Sequence, residues 1–239
     1  LRYEVQWGNL NVGEVEASWA FSENTYEMAG NSRAVGVSYK VSKYRGSSNV
    51  KGQIRNGLYE PVKIEITGAY KGQERNATVN WSANGGQIST VRHPALDLQK
   101  VQALDNTVIK GSIDPFTAIL RALNSIKQTG SCNSIHKIYD GLRTAELVFY
   151  NLGRSLLSGD RPSAYTGDVL KCGLTSKPTG GHQLKSRWNK KKRYIEDNII
   201  FIAEVKPGFF LPVRMEIKTF LGKLTARLVM TDLSINVSY

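Results

Sequence analysis

Apolar and polar residues alternate one by one along most of the chain. Tyr3, Val5 and Trp7 fall on one side of an extended backbone, and Arg2, Glu4 and Gln6 on the other. Gly13, Val15, Ala17, Trp19 and Phe21 repeat the device against Glu14, Glu16 and Ser18, and Val35, Val37, Tyr39 and Val41 do so again. Further along come Ala77, Val79 and Trp81, then Ala145, Leu147 and Phe149, then Val213, Met215 and Ile217. Leu224, Ala226, Leu228 and Met230 close the series. Each run predicts a half-buried antiparallel strand with one wet face, and it places Trp7, Trp19 and Trp81 in the core. Glycine stands where hairpins need positive φ, at Lys71-Gly72, Asn84-Gly85-Gly86, Asp140-Gly141 and Leu221-Gly222. Several of these strands are longer than the usual five or six residues. Long strands paired in sequence tend to coil, so the expected fold is a mostly-β, antiparallel β-barrel or β-spiral, with a two-sheet sandwich as the alternative.

One stretch changes period. Phe116, Ile119, Leu120, Leu123 and Ile126 share one helical stripe. Asp114 is placed to cap that helix, Pro115 suits its first turn, and Gly130 can end it. The reading is one amphipathic helix near residues 114–128, lying across the barrel mouth or plugging its interior. No linker or composition shift divides the chain, so residues 1–239 read as a single domain carrying this helix and a basic loop near 180–194. No apolar run reaches the roughly 18 residues of a spanning helix, and a soluble chain without a transmembrane segment is expected. The chain opens at Leu1 without Met, directly into a strand pattern. That start fits either a trimmed fragment or a mature chain whose signal peptide has been removed.

Composition adds little to the fold and more to the partner. The 239 residues are 41% hydrophobic and 22% charged, as in ordinary globular proteins. The formal net charge of +12 attracts polyanions of any kind. About half of that excess lies in one run, where Lys185, Arg187, Lys190, Lys191, Lys192 and Arg193 surround Trp188. An aromatic among cations suits a lipid interface or a stacked base, while the plainer reading is a solvated hairpin tip. The expected partner for Lys185–Arg193 is an anionic lipid, an envelope polymer or an envelope protein; nucleic acid is not the expected one.

Candidate chemistry is sparse. The two cysteines, Cys132 and Cys172, allow a disulfide, two buried thiols, or a metal pair with His136 and His182. The spacing is poor for zinc, and an isolated pair suits a single bridge best if the compartment is oxidising. No nucleophile elbow, zincin motif, phosphate loop or dinucleotide fingerprint occurs, so no catalytic residue, metal site or cofactor is nominated and a non-enzymatic protein is expected. The alternatives are a hydrolase acting on an envelope substrate, its active residues assembled from distant strands, and a nucleic-acid or host-target binder using the basic run. Asp140-Gly141-Leu142-Arg143 could hold a ligand phosphate, but reads more simply as a turn in which Arg143 packs against or pairs with Asp140.

Several of these landmarks come in a telling order: Gly111-Ser-Ile-Asp-Pro115, then Cys132, Tyr139-Asp-Gly-Leu-Arg143, Cys172, and Leu211-Pro-Val-Arg214 followed by Gly222. In that order the chain resembles, over its whole length, an uncharacterised family of proteobacterial periplasmic proteins catalogued as a domain of unknown function. More distantly it is similar to the β-spiral envelope-integrity proteins of alphaproteobacteria. The resemblance implies a periplasmic or secreted, coiled antiparallel protein with no assigned activity. It also implies that Cys132 and Cys172 are the family's paired cysteines, and that Asp114, Pro115, Asp140, Gly141, Arg143, Pro212 and Arg214 are its signature positions. The basic run at 185–193 departs from the family pattern.

Overall fold

The computed structural model describes residues 1–82, 88–95, 97–104, 106–161, 164–181, 198–219 and 222–230. The predicted basic run, with Lys185, Arg187, Trp188, Lys190, Lys191, Lys192 and Arg193, lies outside the described residues. The first seven strands are β1 (Arg2–Trp7), β2 (Leu10–Phe21), β3 (Thr25–Ala34), β4 (Arg45–Arg55), β5 (Leu58–Tyr70), β6 (Gln73–Trp81) and β7 (Ile88–His93). A short helix, α1 (Gly36–Ser42), interrupts the β3–β4 connection. After β7 come α2 (Asn106–Ile109) and α3 (Pro115–Thr129). The chain then continues through β8 (Ser134–Tyr139), β9 (Thr144–Leu157), β10 (Gly167–Gly180), β11 (Asn198–Lys206), β12 (Phe209–Thr219) and β13 (Gly222–Met230).

All the strands form one antiparallel sheet, in the order β7-β6-β5-β4-β3-β2-β1-β13-β12-β11-β10-β9-β8. Each strand pairs with its sequence neighbour, except that β7 and β8 stop at the two edges and β1 closes onto β13. The sheet is therefore open but coiled, and its edges meet without pairing. All the strands run between the same two ends. The first end carries the β1–β2, β3–β4, β5–β6, β8–β9 and β12–β13 turns, together with Gly181 and Asn198. The opposite end carries the β2–β3, β4–β5 and β11–β12 turns.

Helix α3 lies inside the coil. The Asp114 carboxylate accepts from the Phe116 and Thr117 N–H groups at 2.9 and 3.0 Å, and Gly130 ends the helix at φ 70°. The buried face splits between two cores. Leu120 packs with Tyr26, Val50, Ile64 and Val79 of the N-terminal strands. Leu123 and Ile126 pack with Phe149, Leu170, Ile200 and Ile202 of the C-terminal strands. Burying one such leucine contributes about 1.5–3 kcal/mol. The second core also holds Cys132 and Cys172, whose sulfurs are bonded across a sequence separation of 40. That bond ties the segment leaving α3 to the middle of β10 and removes both thiolates from metal chemistry.

A third core lies on the other face of β11, where Phe201 and Ala203 pack with Leu157, Val169 and Tyr165 of the β9–β10 hairpin. The continuous apolar run of β11 thus serves two cores, one on each face.

Two readings of the alternation fail. Val35–Val41 is not a strand: Val35 is an extended N-cap, Gly36 takes φ 58°, and residues 36–42 form α1 with no buried residue. The alternation there is not one of burial, since Val37, Tyr39 and Val41 are all exposed. On β1 the wet face is also covered. Asp160 of the β9–β10 connection meets Arg227, and Gln6, Thr225 and Arg227 are buried. Trp7, the last residue of β1, reaches the open end and is 40% exposed rather than in the core. Trp81 is buried, donating Nε1–H to the Ser112 carbonyl at 2.8 Å, and Trp19 is half-buried against both α3 cores.

Candidate functional site

The signature positions do not converge on one place. Asp114 and Pro115 start α3. Asp114 is fully buried, and a relay runs from the Tyr26 hydroxyl through Thr117 Oγ1 to its carboxylate. Burial pushes its carboxyl above the ordinary carboxylate range, against the pull of these hydrogen bonds. Pro212 and Arg214 belong to β12. The Pro212 carbonyl accepts from the Tyr3 hydroxyl at 2.9 Å. Arg214 pairs with Glu216 at 2.7 Å, stacks over Phe201 and lies 3.5 Å from Asp160. Asp160 in turn accepts from Arg227 Nε, and Arg227 Nη1 donates to Gln6 Oε1 at 2.7 Å. The hydrogen bond from Arg227 holds the Asp160 carboxyl below its usual range. This network joins β1, β12, β13 and the β9–β10 connection through paired charges, with Arg214 Nε alone buried and without a hydrogen bond, and its carboxylates Asp160 and Glu216 already meet its arginines, so it is structural.

Asp140, Gly141 and Arg143 are placed differently, at the seam where the two sheet edges meet. The Asp140 carboxylate accepts from the backbone N–H of Leu142 at 2.8 Å and of Arg143 at 2.6 Å, fixing a tight β8–β9 turn. Of the two arrangements expected in the turn, packing against or pairing with Asp140, the side-chain ion pair is not formed; the Arg143 side chain has no polar partner among the described residues. Gly141 takes φ 85°, and a Cβ there would lie 3.1 Å from Ala77 and Val79 of β6. Gly181 takes φ 76°, and a Cβ there would come within 2.1 Å of the Leu142 carbonyl oxygen. Only glycine lets the turn press this closely on its neighbours.

Side chains, not backbone pairing, close the seam. From β7, Thr90 Oγ1 and Arg92 Nη2 donate to the Tyr139 hydroxyl of β8 at 3.2 and 2.9 Å. Beside this contact opens a cleft of about 390 Å³. Its walls carry Arg75, Arg92, Lys100 and Arg143, with His93 at the rim and apolar surface from Ile66, Ala77 and Leu142. Two carboxylates line it, and both are engaged: Asp140 by backbone N–H groups, and Asp97 by Lys100 at 2.7 Å. The hydrogen bond from Lys100 holds Asp97 below the ordinary range. Arg75, Arg92 and Arg143 are left without an anionic partner among the described residues. Arg92 Nη1 is buried and makes no hydrogen bond. A buried guanidinium N–H left unsatisfied costs of the order of 1–3 kcal/mol unless a ligand or water completes it.

The arrangement is chemically suited to an anionic head with an apolar body. Guanidinium forks match planar or tetrahedral oxyanions, while the floor offers methyl and methylene surface. Of the cleft residues, only Asp140, Gly141 and Arg143 stand out in the sequence as candidate ligand-binding positions. Arg75 and Arg92 look like solvated charges on a wet strand face, and nothing local reveals that a seam brings them beside Arg143. Among the described residues no group of three histidine, cysteine or acidic side chains could hold a metal ion, and no helix is long and apolar enough to cross a membrane.

Comparison with known proteins bears on fold and family. The pattern of a family described as "Protein of unknown function (DUF3108)" matches residues 2–229. No curated protein matches the chain. Among solved structures, the crystal structure of a beta-barrel-like protein of domain of unknown function DUF1849 from Brucella abortus is similar, with a TM-score of 0.55 at 9% identity. The match covers 95% of this chain and 94% of that one. At this identity the likeness is one of fold, and it agrees with the coiled, mostly-β plan.

Proposed function

The chain belongs to the DUF3108 family of proteins of unknown function, and we propose that it is a non-enzymatic envelope protein, periplasmic or secreted, that binds an anionic amphiphile in the seam cleft. The observation that carries this reading is Arg92: its Nη2 is held by Tyr139, while Nη1 is buried, unpaired and beside two further unpaired arginines. Arginines that line one cleft whose carboxylates are engaged elsewhere repel one another, and an oxyanion relieves both the repulsion and the unmet N–H. The apolar patch within the cleft favours an amphiphile over a free inorganic ion. Two further facts support a binding role in an oxidising compartment. The cysteines are bridged, which suits an envelope location. The groups whose protonation burial perturbs strongly, Tyr3, Tyr26, Asp114 and His136, are not among the residues lining the cleft.

Calorimetric titration with dodecyl phosphate, and with inorganic phosphate as the headgroup alone, tests the reading. Dodecyl phosphate should bind the wild type more tightly than phosphate does. Arg92→Met and Arg143→Met should each weaken it by about tenfold or more, the loss of one charge-assisted contact. Equal binding by wild type and both variants, or none by the wild type, refutes the site.

A further inference from the structure

The β3–β4 connection carries a surface that neither the fold nor the cleft uses. Helix α1 buries none of its residues, and Val37, Tyr39 and Val41 are 70%, 53% and 67% exposed. A surface helix ordinarily turns its apolar side chains inward; this one is held by polar groups instead. Ser38 Oγ lies 2.8 Å from the Val35 carbonyl oxygen, and the Val35 N–H donates to Val12 O at 3.2 Å. The Lys71 N–H donates to Ser42 O at 2.7 Å, joining the helix to the β5–β6 turn. The apolar side chains are therefore presented outward on a fixed platform.

The same end of the molecule extends this surface. Leu10 at the β1–β2 turn is 60% exposed and Tyr70 at the β5–β6 turn is 54% exposed. Lys40, Lys43 and Lys71 stand among these residues, with Lys71 over the Tyr70 ring at 5.5 Å. Segments 7–11, 35–44 and 70–72 contain no aspartate or glutamate. A protruding set of aliphatic and tyrosine side chains, interleaved with lysines and free of carboxylates, has the chemistry of an interfacial anchor. The apolar groups enter the acyl boundary, tyrosines sit at headgroup level, and lysines meet anionic lipid.

We propose that the α1 end, with Val37, Tyr39, Val41 and Lys40, Lys43 and Lys71, docks the protein on an anionic bilayer surface. Charge complementarity selects this occupant: a second copy would bring like charges face to face, and a neutral bilayer would leave the lysines without counter-charge. Docking would also set the seam cleft close to the lipid, because Gly72, Glu74, Arg75, His93 and Pro94 line one continuous hollow beside the β5–β6 turn, with the Glu74 carboxylate neutralised by Arg45 at 2.6 Å. The proposal stands on residues separate from the cleft, so each can fail alone.

Co-sedimentation of the full chain with vesicles of 30% phosphatidylglycerol in phosphatidylcholine tests it, alongside pure phosphatidylcholine vesicles. The wild type should bind the anionic vesicles and not the neutral ones. Each lysine near such a surface is worth about fivefold in partitioning, so Lys40→Glu, Lys43→Glu and Lys71→Glu together should lower it by about 100-fold or more. Val37→Ser, Tyr39→Ser and Val41→Ser together should lower it by about tenfold or more, with an unchanged melting temperature because all three are exposed. Undiminished sedimentation of the serine variant overturns the proposal. So does loss of binding only when Lys190, Lys191, Lys192 and Arg193 become serine, which would move the contact to that segment. A wild-type dimer in analytical ultracentrifugation that the serine variant abolishes also overturns it, by assigning the patch to a second copy.

Discussion

The two ends of the coiled sheet differ in how their charged groups are met. At the end carrying the β4–β5 turn, α3 reaches its neighbours with matched groups. Arg121 Nε donates to the Tyr59 carbonyl at 2.7 Å, Asn124 to that of Gly57 at 3.3 Å, and Arg55 lies 3.6 Å from Glu60. The disulfide binds the segment leaving α3 to the sheet. At the other end, apolar side chains stand in solvent on α1, and Arg75, Arg92 and Arg143 face a cleft whose two carboxylates, Asp97 and Asp140, are already engaged by other groups. A fold tied down through α3 at one end, with an unfilled cationic cleft at the other, separates stability from recognition, because charges left unmet in the free protein are those a partner can complete. Substitutions at the α3 end should therefore cost stability and leave binding intact, and substitutions at the α1 end should do the reverse.

The largest break in that contrast should come from the bridge. Replacing Cys132 and Cys172 with alanine opens a loop with a sequence separation of 40, and the chain-entropy account gives about 4 kcal/mol. Urea unfolding would read this directly; a loss under about 1 kcal/mol would mean that α3 is anchored without it. Leu120→Ala and Leu123→Ala come next, at about 3 kcal/mol each, since each opens a cavity in one of the two cores that α3 fills.

How far these features were legible in the sequence depends on whether their cause is local. The two ends of α3 could be read because Asp114 with Pro115 at the start, and Gly130 at the finish, each act on backbone groups within a few residues of themselves. The strands could be read because alternation follows from the backbone itself. The α1 segment misled because alternation is blind to burial: Val37, Tyr39 and Val41 have the spacing of a strand face but no sheet beneath them. Trp7 and Gln6 exchanged their expected roles because the covering group, Asp160 beside Arg227, belongs to a hairpin some 150 residues away. The cleft was half legible for the same reason. The Asp140–Arg143 turn announces itself, whereas Arg75 and Arg92 reach it only because an open sheet coils until its edges meet.

Asp160→Ala sharpens the contrast at an intermediate scale. It strips Arg227, itself buried, of its carboxylate, and should cost about 2 kcal/mol, less than a fully buried pair because Asp160 is partly exposed. Retained dodecyl phosphate affinity in this variant would keep the polar network on the structural side of the division.

His136 offers a similar test through pH. Burial lowers its pKa from 6.5 to about 4, with Arg121 adding to the effect. The unfolded chain therefore takes up the proton first on acidification. The stability His136 contributes is complete above pH 6.5 and is lost as pH falls from 6.5 towards about 4. Allowing for its partial exposure, the loss should be about 2 kcal/mol. The wild type should fall more steeply than His136→Gln over that window, and parallel pH–melting curves would remove the histidine from the stability of this end. The smallest effect belongs to α1, where Val41→Ala should change stability by less than about 0.5 kcal/mol.

The central claim, that the α1 end holds a cationic cleft completed by an anionic amphiphile, meets its most direct test in native mass spectrometry of protein purified from its own host. The wild type should carry a retained, negatively charged amphiphile that is released on unfolding, and the Arg92→Met, Arg143→Met double variant should lose it. A retained ligand that is uncharged, or one the double variant holds as well as the wild type does, would contradict the account.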